Sequence, residues 1–257
     1  MKRHIALLFM MMVGVAVFAQ VSMIAHRGAS FEAPENTIAS VREAWRQGAD
    51  AVEIDIWKTR DGKIVLLHDR STKRTTGADL LVDETLWGAI KNLDAGSFKD
   101  SVKYAGERIP LLEDVLKEIP KGKKLVVEIK CDASVVRKLR RVVRKSGVAD
   151  RVVFIAFNWE TIKKTAKFFP KNDCYWLCGK REVMDSKIAE ASAAGLKGVD
   201  LHWSLVDEAL MNLCREHQLD VIAWTVDKPE EAKRLSSLGV SGITTNRPGW
   251  LKGQLRE

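Results

Sequence analysis

Residues 198–245 read GVDLHWSLVDEALMNLCREHQLDVIAWTVDKPEEAKRLSSLGVSGITT. Three short apolar runs, at 198–201, 221–226 and 242–245, are separated by two stretches with helical patterning. In the first stretch Leu210, Leu213 and Cys214 share a helical face, and His217 fits the same helix. The second opens with Asp227, Lys228, Pro229 and Glu230, a capping Asp ahead of first-turn acids. It runs through Ala232, Leu235 and Leu238 and stops at Gly239. A strand, a helix and a parallel strand form a right-handed crossover, and a parallel sheet built this way is covered by helices.

The same rhythm extends towards the N-terminus. Further runs lie at 125–129, 152–157 and 174–177, and earlier ones at 23–26, 51–57 and 63–68, with a helix at roughly 37–47 after the first. Alternation repeated this often within one domain favours a closed barrel. The count is nine strands, one more than a regular eight-stave barrel holds, so at least one run is not a stave. Residues 58–62, Lys-Thr-Arg-Asp-Gly, leave room only for a turn, because a parallel crossover needs about a dozen residues. That connection is expected to be hairpin-like. Residues 70–110 break the rhythm, being rich in Thr, Gly, Asp and Lys with scattered Leu86, Trp87, Leu93 and Phe98. An insertion of this length is expected to form a small cap that helps select substrates.

A chain of 257 residues, 46% hydrophobic and 30% charged, can bury a full core. Its start departs from that pattern: Lys2, Arg3 and His4 precede an apolar run at 5–18, then small residues before Gln20. This is the layout of a signal peptide, too short for a comfortable membrane span. The expectation is an exported chain, periplasmic or secreted, cleaved near Ala19, with residues 20–257 as the mature protein. No cysteine follows the apolar run, which argues against a lipid anchor. Without residues 1–19 the net charge falls from +8 to +6, an excess that can steer anionic ligands but names no partner. The densest basic stretch, Arg137 to Lys145, carries Val135, Val136, Leu139, Val142 and Val143 at helical spacing and reads as the solvated side of an amphipathic helix. No aromatic residues interleave with it as a nucleic-acid groove requires. Cys174 and Cys178 share one expected strand, ~13 Å apart, beyond the ~7 Å that a disulfide allows. No C-x-x-C pair is present, which argues against a zinc set, and most of Cys131, Cys174, Cys178 and Cys214 read as buried small hydrophobes.

In a parallel barrel, chemistry gathers at the carboxyl ends of the strands. His26 and Arg27 close the first run, Glu53 and Asp55 lie in the second, His68 and Asp69 close the third, and Glu128 and Lys130 close the next. Glu53 and Asp55 are two apart and so face the same side of a strand, and Glu128 brings a third acid. Acids crowded into one cavity repel unless they are protonated, share a cation, or pair with Arg27 and Lys130 as interior ion pairs. All-oxygen ligands suit Mg2+ or Ca2+. His26 and His68 titrate in the range needed to accept and donate a proton. Arg27 offers a planar fork to phosphate oxygens and Lys130 a point charge. His202 and His217 lack such company. The sequence has no G-x-S-x-G elbow and no glycine-rich nucleotide loop.

His26-Arg27-Gly28, Ala33-Pro34-Glu35-Asn36-Thr37, Glu53-Ile54-Asp55, Asp61-Gly62, His68-Asp69, Ile109-Pro110-Leu111-Leu112-Glu113, Glu128-Ile129-Lys130 and Trp224-Thr225-Val226, in this order, resemble the motif series of the glycerophosphodiester phosphodiesterase family. The resemblance spans residues 23–248. It implies a distorted (β/α)8 TIM barrel, with a small insertion after the third strand. It implies a His26 and His68 acid–base pair, Glu53, Asp55 and Glu128 on one divalent cation, Mg2+ or Ca2+, and Arg27 and Lys130 on the phosphate. Trp224 would face the glycerol or the leaving group, and Glu35 would orient Arg27 and cap the following helix. The implied reaction takes a small-molecule glycerophosphodiester to an alcohol and sn-glycerol 3-phosphate. A phospholipase-type barrel acting on lipid head groups and a non-catalytic binder of phosphorylated glycans or lipids are the rival readings. Cys131, next to Lys130, has no assigned role.

Overall fold

The computed structural model describes residues 21–256. The expected leader at 1–19 lies outside the described residues. Among the described residues nine strands form: β1 (Ser22–Ala25), β2 (Ala51–Lys58), β3 (Ile64–Leu66), β4 (Lys124–Ile129), β5 (Val152–Ala156), β6 (Cys174–Cys178), β7 (Gly198–His202), β8 (Asp220–Trp224) and β9 (Gly242–Thr245). Eight of them run parallel in the order β1-β2-β4-β5-β6-β7-β8-β9, and β9 pairs back onto β1 with Ser22 opposite Gly242 and Ala25 opposite Thr245. The ring is therefore closed.

The surplus run is β3. It lies antiparallel on the end of β2, with Ile56 opposite Leu66 and Lys58 opposite Ile64, outside the ring. The turn between them is a hairpin turn in which Gly62, at φ +78°, donates its N–H to Thr59 O. Because β3 pairs with β2 from outside the ring, residues 70–110 continue from there without adding a stave. They form short helical turns around a small core of their own, Val82, Ile90, Ala95 and Ile109 with Val65 and Leu67. The segment leans on the loop after β1: Lys99 Nζ donates to Ser30 O, Tyr104 Oη to Glu32 O, and Glu107 accepts from Ala39 N.

Alternate residues along each stave point inward. The lower interior is apolar, built from Ile24, Ala51, Val126, Val153, Tyr175 and Ile222. Tyr175 lies inside the ring because Gly198 leaves room: a Cβ there would stand 2.8 Å from the Tyr175 ring and 2.1 Å from Asp220 O. Towards the carboxyl ends the inward positions turn polar, with Glu53, Asp55, Asp200 and Thr244 all buried. The outer faces of the staves pack on helices. Helix Val136–Lys145 buries Val136, Leu139 and Val143 and exposes Arg137, Arg141, Arg144 and Lys145, so the basic run is its wet side. Cys174, Cys178 and Cys214 are buried, Cys131 is half-buried, and all four thiols are free. Among the described residues no helix is long and apolar enough to cross a membrane.

Candidate active site

β1 ends in a tight loop that brings Arg27 and Asn36 onto β2. Arg27 adopts φ +56°, a backbone region that non-glycine residues use sparingly. Its N–H donates to Glu53 Oε2 at 2.9 Å, and its carbonyl accepts from Asn36 N and Ser40 Oγ. Gly28, at φ +82°, continues the turn where a Cβ would come within 2.4 Å of Ser40 Oγ. Asn36 clasps Asp55 at both ends, Nδ2 donating to Oδ2 at 2.8 Å and Oδ1 accepting from Asp55 N at 3.0 Å. Thr37 caps helix Ile38–Arg46 in a capping box with Ser40. That corrects the expectation that Glu35 serves the helix as a cap. Glu35 instead bridges Arg27 Nη1 at 3.0 Å and the fork of Arg74 at 2.8 and 2.9 Å.

Glu53, Asp55 and Glu128 converge, one ligand oxygen from each lying within 4.8 Å of the others. Lys130 Nζ reaches Glu128 at 2.8 Å and Asp55 at 3.7 Å, and Arg27 Nε stands 3.4 Å from Asp55. The interior ion pairs therefore exist, but they do not complete the cluster. Glu53 is 3% exposed and its Oε1 is buried with no hydrogen-bond partner. Burial, then repulsion from Asp55 and Glu128, pushes its carboxyl well above the usual range. Burial and Asp55 likewise lift Glu128 to about 7. Burial works against the Lys130 ammonium, but Glu128 and Asp55 outweigh it and hold its proton on. Three crowded carboxyls with an orphaned buried oxygen are a donor set that one hard cation fits.

One cavity of about 110 Å³ at the carboxyl ends of the staves is lined by His26, Arg27, Glu53, His68, Glu128 and Lys130 together with Trp224. The structure thus gathers both histidines, both cationic groups, the indole and two of the three acids around one space, with Asp55 directly behind. His202, set aside on the sequence, stays off this lining, although its ring packs edge-on against Trp224 with centroids 5.4 Å apart. No residue of 70–110 is among the lining described. The insertion packs beside the site on the loop after β1, through Lys99, Tyr104 and Glu107. Its link to the site is Arg74, whose Nε also binds Asp69 Oδ2 at 2.6 Å.

Both imidazoles are tethered through Nδ1, which leaves Nε2 as the free nitrogen. His68 Nδ1 meets Asp69 Oδ1 at 2.7 Å, and His26 Nδ1 meets Asn246 Oδ1 at 2.8 Å. Asn246 is in turn fixed by Asp227, which accepts from its Nδ2 at 2.6 Å and its backbone N at 2.9 Å. Sequence reading assigned Asp227 to capping the next helix. In the structure Lys228 holds that cap position with no side-chain bond, and Asp227 turns inward to Thr245 and Asn246. Asn246 was legible by the rule that flagged the histidines, being a polar residue that ends a strand run. Asp200 was missed for want of a motif, and its buried carboxyl lines the cavity. Burial and the nearby Arg27 lower the His26 pKa, favouring its neutral form.

A model of the glycerophosphoryl diester phosphodiesterase family matches residues 26–250. A glycerophosphodiester phosphodiesterase of Caldanaerobacter subterraneus is 33% identical over 246 residues, covering 91% of this chain and 98% of that protein. Among solved structures, an Oleispira antarctica phosphodiesterase in complex with the product sn-glycerol-3-phosphate superposes with a TM-score of 0.85 at 27% identity, covering 92% of this chain and 97% of that one. A glycerophosphoryl diester phosphodiesterase structure from Silicibacter pomeroyi gives a TM-score of 0.83 at 25% identity, with 92% and 93% covered. A closed barrel carrying this acid, imidazole and cation set at its mouth, with a family match over nearly its whole length, places the chain in the glycerophosphoryl diester phosphodiesterase family.

Proposed function

We propose that this chain hydrolyses glycerophosphodiesters to an alcohol and sn-glycerol 3-phosphate, with Glu53, Asp55 and Glu128 holding one divalent cation, Mg2+ or Ca2+. The observation that carries the cation is Glu53 Oε1, buried and without a partner although Arg27 and Lys130 are already engaged beside it. A cation bound there would supply Lewis-acid neutralisation of the phosphoryl oxygens. Arg27 and Lys130 face the same cavity and bind the remaining phosphate charge, the guanidinium through paired donors.

The tethers divide the proton work. Burial and Arg27 keep His26 neutral, and Asn246 Oδ1 accepts from its Nδ1–H, so its Nε2 is a free acceptor. That suits His26 to take the proton of the attacking hydroxyl, whether water or the neighbouring glycerol hydroxyl. His68 is held by Asp69 through Nδ1 and lines the same cavity, which leaves its Nε2 placed to pass a proton to the leaving oxygen. The apolar run at 5–18 and its basic flank support export of the mature chain.

The test is release of sn-glycerol 3-phosphate from glycerophosphocholine, with Mg2+ or Ca2+ and with a chelator. Turnover is expected only with the ion, and H26A and H68A should each lose about 10²-fold or more in kcat. Full turnover in chelator removes the cation from the reading. Ligand binding without turnover under every condition makes the chain a binder.

A further inference from the structure

Asp200 is not used by any step above. It sits on β7 between Leu177 of β6 and Ile222 of β8, both apolar. Its residue is 2% exposed, its Oδ1 is buried with no hydrogen-bond partner, and its side chain lines the mouth cavity beside Leu177 and Trp224. The indole is fixed there, because Trp224 Nε1 donates to Asp200 O at 3.2 Å. Asp200 stands outside the group of acids whose ligand oxygens meet within 4.8 Å, so it is not a fourth member of that cluster. A buried polar atom without a partner is rare in folded proteins and calls for a ligand to complete it.

We propose that Asp200, with Trp224 beside it, forms the subsite for the glycerol moiety, its carboxyl binding a hydroxyl of that group. The proposal rests on the phosphodiesterase reading above. Phosphate charge is met elsewhere in the cavity, by Arg27 and Lys130, so the part of the substrate that reaches Asp200 is uncharged or cationic. The unpartnered Oδ1 needs a hydrogen-bond donor, which a hydroxyl supplies and a quaternary ammonium lacks. Asp200 is a specificity-determining residue here, because a site built to bond a hydroxyl discriminates strongly against substrates lacking it.

Two substrates and three proteins test this, with the divalent ion present throughout. Glycerophosphocholine carries both glycerol and choline, and p-nitrophenylphosphocholine carries choline without glycerol. In D200L the kcat/KM ratio of the first to the second should fall roughly 30-fold. D200N keeps a donor and an acceptor and should restore the ratio to within about threefold. By calorimetry, sn-glycerol 3-phosphate should bind D200L roughly tenfold more weakly, with inorganic phosphate binding unchanged. Equal losses on both substrates, or D200N as impaired as D200L, overturn the inference. So does a loss confined to choline-bearing substrates when both are compared with bis(p-nitrophenyl) phosphate, since that marks a choline subsite. If the wild-type protein itself fails to turn over glycerophosphocholine while sn-glycerol 3-phosphate still binds and weakens in D200L, the enzymatic reading fails and the glycerol subsite stands.

Discussion

At the scale of single residues, the site is organised by side chains that do not touch the reacting atoms. Asn246 is the clearest. Asp227 holds both its amide and its backbone N–H, so its Oδ1 is presented to His26 Nδ1 rather than left to rotate. The same bond also raises the His26 pKa, opposing burial and Arg27. N246A should therefore lower kcat by about 10- to 100-fold with little change in KM, and shift the acid limb of kcat/KM to lower pH. A pH–rate profile checks both, and an unchanged acid limb would mean that Asn246 serves only the fold. D227A should reproduce part of the effect through Asn246.

Among the elements, the lower end of the barrel depends on one carboxylate. Asp50 precedes β2, accepts from Met23 N of β1 at 3.1 Å, and receives Lys252 Nζ of helix Pro248–Gln254 at 2.9 Å on both oxygens. Burial works against its charge, but the bonds from Lys252 and Met23 outweigh that and hold its pKa below the ordinary value. Its contribution is thus fully present above ~4, the unfolded value, and is lost as pH falls through the depressed folded value. K252A should cost about 0.5–1 kcal/mol at pH 7, or roughly 1–4 °C in Tm. The gap should narrow in melts near pH 2.5. An equal gap at both pH values would show that Lys252 acts through packing of its stem alone. The β2–β3 hairpin is the other deciding element: after its five-residue turn β3 pairs outside the ring, and residues 70–110 reach the mouth through the ion pairs of Arg74 with Glu35 and Asp69 and through bonds to the loop after β1.

On the scale of the whole molecule, the barrel stores unfavourable charge at its mouth. Glu53 and Glu128 bind protons more tightly folded than unfolded, so the metal-free protein should lose stability as pH rises from ~4.5 towards 7, the opposite sign from Asp50. A divalent ion at 100 times its Kd adds about 2.7 kcal/mol, or roughly 5–10 °C in Tm, and should flatten that pH dependence. E53Q should lose most of the increment. Thermal melts with and without ion at pH 5 and pH 7 measure this, and an ion effect intact in E53Q would place the cation elsewhere. The sequence by itself determined the strand and helix alternation, the nine apolar runs and the charged residues ending them, because side-chain periodicity and turn chemistry are local properties. It also singled out the charged and imidazole residues that the structure gathers around one cavity, since they stand where an apolar residue was expected. Which run lies outside the ring, where the insertion goes, what fixes His26 and that Asp200 is left without a partner were decided only by the tertiary structure. Each depends on which distant segments meet: β9 closing on β1, Asn246 reaching His26 across 220 positions, and Leu177 and Ile222 flanking Asp200. Pairings at that range follow from closing the barrel as a whole, and no window of sequence contains them.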